Sequence, residues 1–319
     1  MRKGNKVILT FLPSRHEDPL VRPLVHRSTL FYLQSSTDNT TFAKNKTMIA
    51  FPNCKINLGL RITSRRPDGY HNLETVFYPV PLFDVLEIVS ATEERGKFIP
   101  SGIDLEGNSG NNLVLKAYRL LNDDFELPEI DIYLRKNIPV GAGLGGGSAD
   151  AAFMLTLLNE FASLKLDGEK LEKYAAQLGA DCPFFIRNKP VFAEGTGDLF
   201  TEINLSLKGY FLYLIKPDIF ISTKDAFSGI IPKKPETSTK EIIKMPVTQW
   251  KNVLFNDFEE SIFHRYPEIR QIKETFYANG AVYASMSGSG SSVFGLFETK
   301  PDLMPNQDKC QTFVLSLEI

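Results

Sequence analysis

The chain has 319 residues, of which 43% are hydrophobic and 23% charged, and its formal net charge is −2. That length and balance suit one large domain or two ordinary ones with a full core, and the charge excludes a nucleic-acid binder that works by bulk electrostatics. Cys54, Cys182 and Cys310 lie far apart with no CxxC pair, and the four histidines show no HExxH spacing. The pattern therefore offers neither a disulfide framework nor a zinc site, and it fits a reducing compartment such as the cytoplasm.

Residues 1–47 differ from the rest, with eight Lys or Arg and three acids among many Ser, Thr and Pro. They lack the continuous apolar stretch of a secretory signal. An organelle transit peptide has this composition, but so does a disordered leader or an upstream start assigned in error, with Met48 as the true beginning. A disordered leader or a mis-assigned start is the reading adopted, and it expects that removing 1–47 leaves activity intact. No run of about 18 apolar residues exists, so no membrane-spanning helix is expected.

From Met48 the chain reads as strands over Met48–Thr63, Glu74–Pro79 and Val85–Ser90, broken by a Pro67-Asp68-Gly69 turn. Asn112–Phe125 has the apolar spacing of a helix face, and Ile130–Leu134 alternates as a strand. A glycine-rich loop, Pro139–Ser148, precedes a mostly apolar helix over Ala149–Phe161. Leu171–Leu178 is a further helix ending at Gly179. A second half begins near Leu205, with a strand at Tyr210–Ile215, a loop over Ile221–Ala226 and another at Pro232–Lys240. Helices follow at Asn256–Phe263 and Pro267–Ala278, the second stopped by Asn279-Gly280. Strands at Ala281–Ser285 and Ser292–Phe297 flank a second Gly/Ser-rich loop, and Phe313–Ile319 reads as a last strand. Strands and helices without regular βαβ alternation indicate an α+β chain in two halves.

The loop supplies five glycines in ten residues, then a serine at the start of a helix. Glycine permits φ > 0 and removes Cβ atoms, so successive N–H groups can converge on an anion, and the helix adds its positive end. This is the recipe for a di- or triphosphate cradle. Gly141-x-Gly143-x-x-Gly146 also fits a dinucleotide fingerprint, but Glu160, at about the right distance, closes an apolar helix and no second parallel strand. A Walker A loop needs Gly-Lys-Ser or Gly-Lys-Thr, and no lysine lies here. A purely structural glycine turn is the remaining alternative.

The stretch Pro139-Val140-Gly141-Ala142-Gly143-Leu144-Gly145-Gly146-Gly147-Ser148-Ala149 resembles the phosphate loop of the GHMP kinases. Pro52-Asn53-Cys54-Lys55-Ile56-Asn57-Leu58 is similar to that family's first motif, and Ser287-Gly288-Ser289-Gly290-Ser291-Ser292-Val293-Phe294 to its third. Arg66-Pro67-Asp68-Gly69-Tyr70-His71-Asn72-Leu73, Leu178-Gly179-Ala180-Asp181-Cys182-Pro183 and Ala193-Glu194-Gly195-Thr196-Gly197 resemble the corresponding segments of one branch. That branch phosphorylates a sugar alcohol carrying cytidine diphosphate. The likeness covers roughly 48–297, and several motifs in the right order are far more specific than any one.

The resemblance implies an α+β, two-domain fold, with a ribosomal-S5-like α/β domain over 48–205 and a ferredoxin-like α+β domain over 206–319. The active site would lie in the cleft between them. It implies ATP as phosphoryl donor, with Mg²⁺, and a small-molecule acceptor with a cytidine diphosphate group, in a monomer or homodimer that binds neither nucleic acid nor membrane. Lys55 and Asp181 take the catalytic roles, the aspartate polarising or deprotonating the acceptor hydroxyl. The glycine loop and Ser287–Gly290 hold ATP. Asn57, Tyr70, His71, Thr223 and Phe227 contact the acceptor, Tyr70 and Phe227 by stacking. Read locally, Asp181 is a capping or turn residue, Lys55 the solvated face of an edge strand, and Tyr70-His71 half-exposed packing.

Overall fold

A computed structural model describes residues 31–32, 46–93, 95–104, 111–302 and 309–318. The strands are β1 (Phe31–Tyr32), β2 (Thr47–Ala50), β3 (Asn53–Arg65), β4 (His71–Phe83), β5 (Val85–Ser90), β6 (Phe98–Gly102), β7 (Ile130–Lys136), β8 (Val191–Glu194), β9 (Leu199–Glu202), β10 (Phe211–Pro217), β11 (Tyr283–Met286), β12 (Val293–Phe297) and β13 (Cys310–Ser316). The helices are α1 (Leu113–Phe125), α2 (Gly146–Phe161), α3 (Gly168–Leu178), α4 (Cys182–Arg187), α5 (Thr223–Ser228), α6 (Thr239–Ile242), α7 (Phe258–Arg265) and α8 (Pro267–Ala278).

They form three sheets: β1-β2-β5-β7-β6, β3-β4-β8-β9 and β11-β12-β10-β13. All ladders are antiparallel except β6 against β7. Two expected strands are longer or divided. The first breaks at Phe51-Pro52 into β2 and β3, which enter different sheets. Pro79 does not end β4, because β8 pairs only with Thr75–Phe77 and the proline sits where that side of β4 needs no N–H. Pro100 is tolerated in β6 for a like reason, since β6 lies at a sheet edge.

Local chemistry sets the helix ends. The Asn112 side chain accepts from Val114 N at 2.9 Å and starts α1. Asp167 does the same for α3, and Pro267 opens α8 at its first helical position. The segment Ile221–Ala226, read as a loop, instead starts α5, because Ser222 accepts from Asp225 N at 3.0 Å. The short α4, β8 and β9 were not expected.

One core lies between the five-stranded sheet and α1–α3, joining Ile88, Ile132 and Leu134 to Val114, Met154 and Leu158. Another crosses from the first half to the second, packing Ile56 and Tyr78 with Leu212, Tyr283, Phe294 and Trp250. The sheet containing β3 is thus buried against both halves, and a cleft opens along its edge.

Most of 1–47 lies outside the described residues. Within it, Phe31–Tyr32 pairs with Met48–Ile49 at the outer side of β2. Lys46 Nζ donates to the carbonyls of Phe161 at 2.6 Å and Glu160 at 3.3 Å, at the C-terminal end of α2. A cation there meets carbonyls at the negative end of the helix. A chain beginning at Met48 is expected to keep its activity and to melt about 2–4 °C lower, through loss of about 1 kcal/mol of helix-end stabilisation. A thermal melt beside a turnover assay checks both.

Candidate active site

The site is built on β3. In its sheet β3 pairs only with β4, so its other edge presents N–H groups that must find partners elsewhere. Lys55 N donates to Leu144 O at 2.9 Å, Leu60 N to Phe255 O at 2.9 Å, and Asn57 N to Ser287 Oγ at 3.3 Å. The glycine-rich loop and the second Gly/Ser loop therefore dock side by side on one strand.

Period-two alternation puts Lys55 and Asn57 on the same side of β3. Lys55 is only 4% exposed, so the solvated-edge reading fails. Its Nζ donates to Asn57 Oδ1 at 2.6 Å, lies 3.4 Å from Asp181 Oδ2, and sits 4.7 Å above the Phe77 ring. Asn57 Nδ2 in turn donates to Thr75 Oγ1 at 3.0 Å, which fixes the amide orientation.

Asp181 immediately precedes α4, but its side chain makes no capping hydrogen bond. The carboxylate, 34% exposed, faces Lys55 and the cleft instead. Next to it, Cys182 is fully buried, and burial pushes its thiol up to about 11. That residue stays a neutral thiol and is no rival nucleophile.

In the loop, apolar anchors alternate with glycine. Ala142 and Leu144 are buried in the core that spans the two halves, while Gly141, Gly143 and Gly145 line the cleft with φ of 61°, 75° and 71°. A Cβ on Gly143 would lie 2.0 Å from the Ser287 carbonyl oxygen, so glycine is required for the two loops to meet. Helix α2 begins at Gly146, three residues earlier than expected, with Gly145 as an N-cap that offers no side-chain acceptor. Its first-turn N–H groups and positive end are left to an anion. Pro139 and Ala149 are buried anchors, and Val140 is exposed.

Ser287 closes over this loop. Its Oγ donates to Gly143 O at 2.9 Å, and Ser292 N donates to Ala142 O at 3.3 Å. Asn256, which the sequence reading passed over, donates from Nδ2 to the carbonyls of Met286 and Gly288 at 2.8 and 2.9 Å and holds the loop from behind.

The cleft has a volume of about 500 Å³. Lys55, Asn57, Thr75, Phe77 and Asp181 lie along one part of it, and Gly288, Ser289 and Gly290 along another. Thr223 and Phe227 of α5 line it as well. His71 does not line the cleft directly but stacks on Phe227, with ring centroids 4.9 Å apart and planes at 20°. Tyr70 is not brought to this wall and stands 68% exposed beside the Pro67-Asp68-Gly69 turn. Thr75, Phe77 and Phe220 are further lining residues that sequence reasoning missed. Gly59 was the available signal for the first: its φ of 65° marks a bulge in β3, and its carbonyl accepts from Thr75 Oγ1.

The model for the GHMP kinases N terminal domain matches residues 112–189, and that for the GHMP kinases C terminal matches 243–304. A 4-diphosphocytidyl-2-C-methyl-D-erythritol kinase of Bacteroides fragilis is 64% identical over 252 residues, 78% of this chain and 92% of the relative. The chain belongs to the GHMP kinase family. A crystal structure of 4-(cytidine 5'-diphospho)-2C-methyl-D-erythritol kinase is 30% identical, with a TM-score of 0.68 over 78% of this chain and 90% of that one. The Methanococcus jannaschii mevalonate kinase, 15% identical with a TM-score of 0.61 over 85% and 98%, shares the fold alone.

The loop contact gives a direct test. Gly143→Ala is expected to raise KM for ATP at least about tenfold, because loop displacement on the scale of an ångström is costly in such sites. Gly168→Ala, at the start of α3 with open space around it, leaves both KM and stability near wild type. Steady-state kinetics on the two variants checks the contrast.

Proposed function

We propose that this kinase transfers the γ-phosphoryl group of ATP to the 2-hydroxyl of 4-diphosphocytidyl-2-C-methyl-D-erythritol, a step of non-mevalonate isoprenoid precursor synthesis in the cytoplasm. The observation that carries the reading is the Lys55–Asp181 pair, 3.4 Å apart in a cleft shared by the phosphate-type loop and the Phe227–His71 stack.

The phosphates of ATP lie along Gly141, Gly143 and Gly145 against the start of α2, with Ser287–Gly290 over them. The cytosine ring stacks on Phe227, with His71 behind it and Tyr70 folding in from the exposed turn. Stacking tolerates any base, so hydrogen bonds to the edge of the ring supply the discrimination. Asn57 and Thr223 hold the erythritol part.

In the transfer, the acceptor hydroxyl oxygen forms a bond to the γ-phosphorus, the bond to the ADP oxygen breaks, and the hydroxyl proton passes to the Asp181 carboxylate. Lys55 keeps that carboxylate oriented and places a fixed positive charge beside the oxygens where charge develops. Because Lys55 is buried and already held by Asn57, little reorganisation is needed as the reaction proceeds.

Among the described residues no three His, Cys, Asp or Glu side chains gather as a metal cage. The residues present suit a Mg²⁺ carried on the triphosphate, which would find the Asp181 carboxylate in the cleft as an oxygen donor. When bound, the ion neutralises phosphate charge. Among the described residues no helix is long and apolar enough to cross a membrane.

An ADP-release assay with ATP, Mg²⁺ and 4-diphosphocytidyl-2-C-methyl-D-erythritol, beside homoserine, mevalonate and galactose, is expected to give turnover with the cytidylyl substrate alone. Turnover with another alcohol in its place contradicts the substrate. In the same assay Asp181→Asn is expected to lose about 10²–10⁴ in kcat, the usual range for a positioned acid or base. An unchanged kcat removes the proton-accepting role.

A further inference from the structure

We propose that Asp84, Lys136 and Asp150 form a buried positioning device that sets the phosphate loop and the start of α2 against β3, and thereby controls affinity for the nucleotide. The proposal rests on the reading of the glycine loop as the ATP site. None of the three side chains lines the cleft, so none is a catalytic residue.

The three groups are nearly sealed from solvent, at 0%, 3% and 2% exposure respectively. Lys136, the last residue of β7, donates to Asp84 Oδ2 and, at 2.6 Å, to Asp150 Oδ2. Asp84 links the end of β4 to the start of β5. Its Oδ1 accepts from Asn137 N at 2.6 Å and Ile138 N at 2.9 Å, the two residues that lead into the glycine loop. Its own N–H donates to Pro52 O at 2.9 Å, just ahead of the strand that carries Lys55. Asp150 stands in the second turn of α2. Asp84 therefore ties the entry of β3, through its backbone N–H, to the entry of the loop, through its carboxylate, and the Lys136 ammonium joins that carboxylate to the helix.

The contacts around Gly146 show how closely the device bears on the phosphate site. A Cβ there would lie 2.8 Å from Ile138 Cγ2 and 3.4 Å from Lys136 Nζ. The first residue of α2 therefore rests on the two residues that flank Asn137, and a shift in either is passed to the N–H groups that face the nucleotide.

Stability alone gives little reason for such a group. Taking three charges out of water is costly, and apolar side chains of similar size commonly serve a core as well or better. Here two carboxylates share one ammonium, and Asp150 Oδ1 is buried without a hydrogen-bond partner among the described residues. Burial, with the Asp84 charge beside it, pushes the Asp150 carboxyl up to about 7 against the pull of Lys136. What the cluster supplies and an apolar one cannot is direction: two bonds accepted by Asp84 from the backbone that leads into the loop, and one donated by Lys136 to Asp150 on the helix.

The test measures the dissociation constant for ADP by calorimetry, KM for the cytidylyl acceptor, and the melting temperature, in the full chain. Asp84→Ala removes the acceptor for both loop N–H groups and is expected to weaken ADP binding about tenfold or more. KM for the acceptor stays within about twofold, because the loop contacts ATP and not the acceptor. Asp84→Asn keeps an acceptor oxygen at that place and is expected to recover most of the affinity. A role in stability alone lowers the melting temperature without moving the ADP constant of the folded protein. Asp150→Ala leaves Asp84 and Lys136 as a neutral pair, so it retains the fold if Asp84→Ala does not, and its ADP affinity is expected to fall about fivefold. Unaltered ADP affinity in folded Asp150→Ala, or a rise in acceptor KM equal to the loss of ADP affinity in folded Asp84→Ala, contradicts the proposal. A wild-type chain that fails to bind ADP contradicts the nucleotide reading and the proposal with it, whereas normal wild-type binding with unaltered variants contradicts the positioning role alone.

Discussion

The unpaired edge of β3 is the constraint on which the site depends. An edge strand must either be covered or expose a row of N–H and C=O groups. Here the cover is the catalytic apparatus itself: Leu144 of the glycine loop, Ser287 of the second loop and Phe255 ahead of α7 each accept from a β3 N–H. The same strand points Lys55 and Asn57 into the space between the covering loops. Closing the edge and assembling the site are one event, and the chain cannot do the first without doing much of the second.

Electrostatics then follow from burial. The Lys55 ammonium is taken from water, and its losses are met by Asn57 Oδ1, the Phe77 ring face and the Asp181 carboxylate. An ion that keeps its place before substrate arrives is effective at stabilising charge that appears during phosphoryl transfer. Asp181, beside that ammonium, remains partly open to solvent, which leaves it free to meet a hydroxyl. The glycine loop adds its backbone N–H groups without any side chain, because Ala142 and Leu144 anchor it in a core to which both halves of the chain contribute. Burying a leucine side chain is worth about 1.5–3 kcal/mol, enough to hold a loop whose glycines oppose order.

Features carried by local backbone demands were legible in the sequence. The glycine loop is one, since few other residues permit its turns. Helix α8 is another, with its proline start and Asn279-Gly280 stop. Val85–Ser90 was readable from its β-branched run, and Ile130–Leu134 from its alternation. The starts of α2 and α5 were less so: glycine is a poor helix former, yet Gly146 is held by Ile138 and Lys136, and Ser222 caps a turn that composition alone reads as loop. Tyr70 shows another limit. Its place beside Pro67-Asp68-Gly69 is local and was foreseen, but which ring stacks on Phe227 depends on how β4 meets α5, and that ring is His71. Asp84, Lys136 and Asp150 were invisible because no local pattern joins residues 52 and 14 positions apart.

Substitution of the buried ammonium is the most direct trial of this view. Lys55→Met keeps the length and packing of the side chain and removes the charge at the junction of strand, loops and aspartate. Its kcat for the cytidylyl substrate should be measured beside calorimetric binding of ADP. The expected result is a fall of at least about 10²-fold in kcat, the scale of losing one preorganised charge contact, with ADP affinity changed only a few-fold. A folded Lys55→Met protein that keeps kcat within about threefold of wild type would contradict the central role of that ammonium.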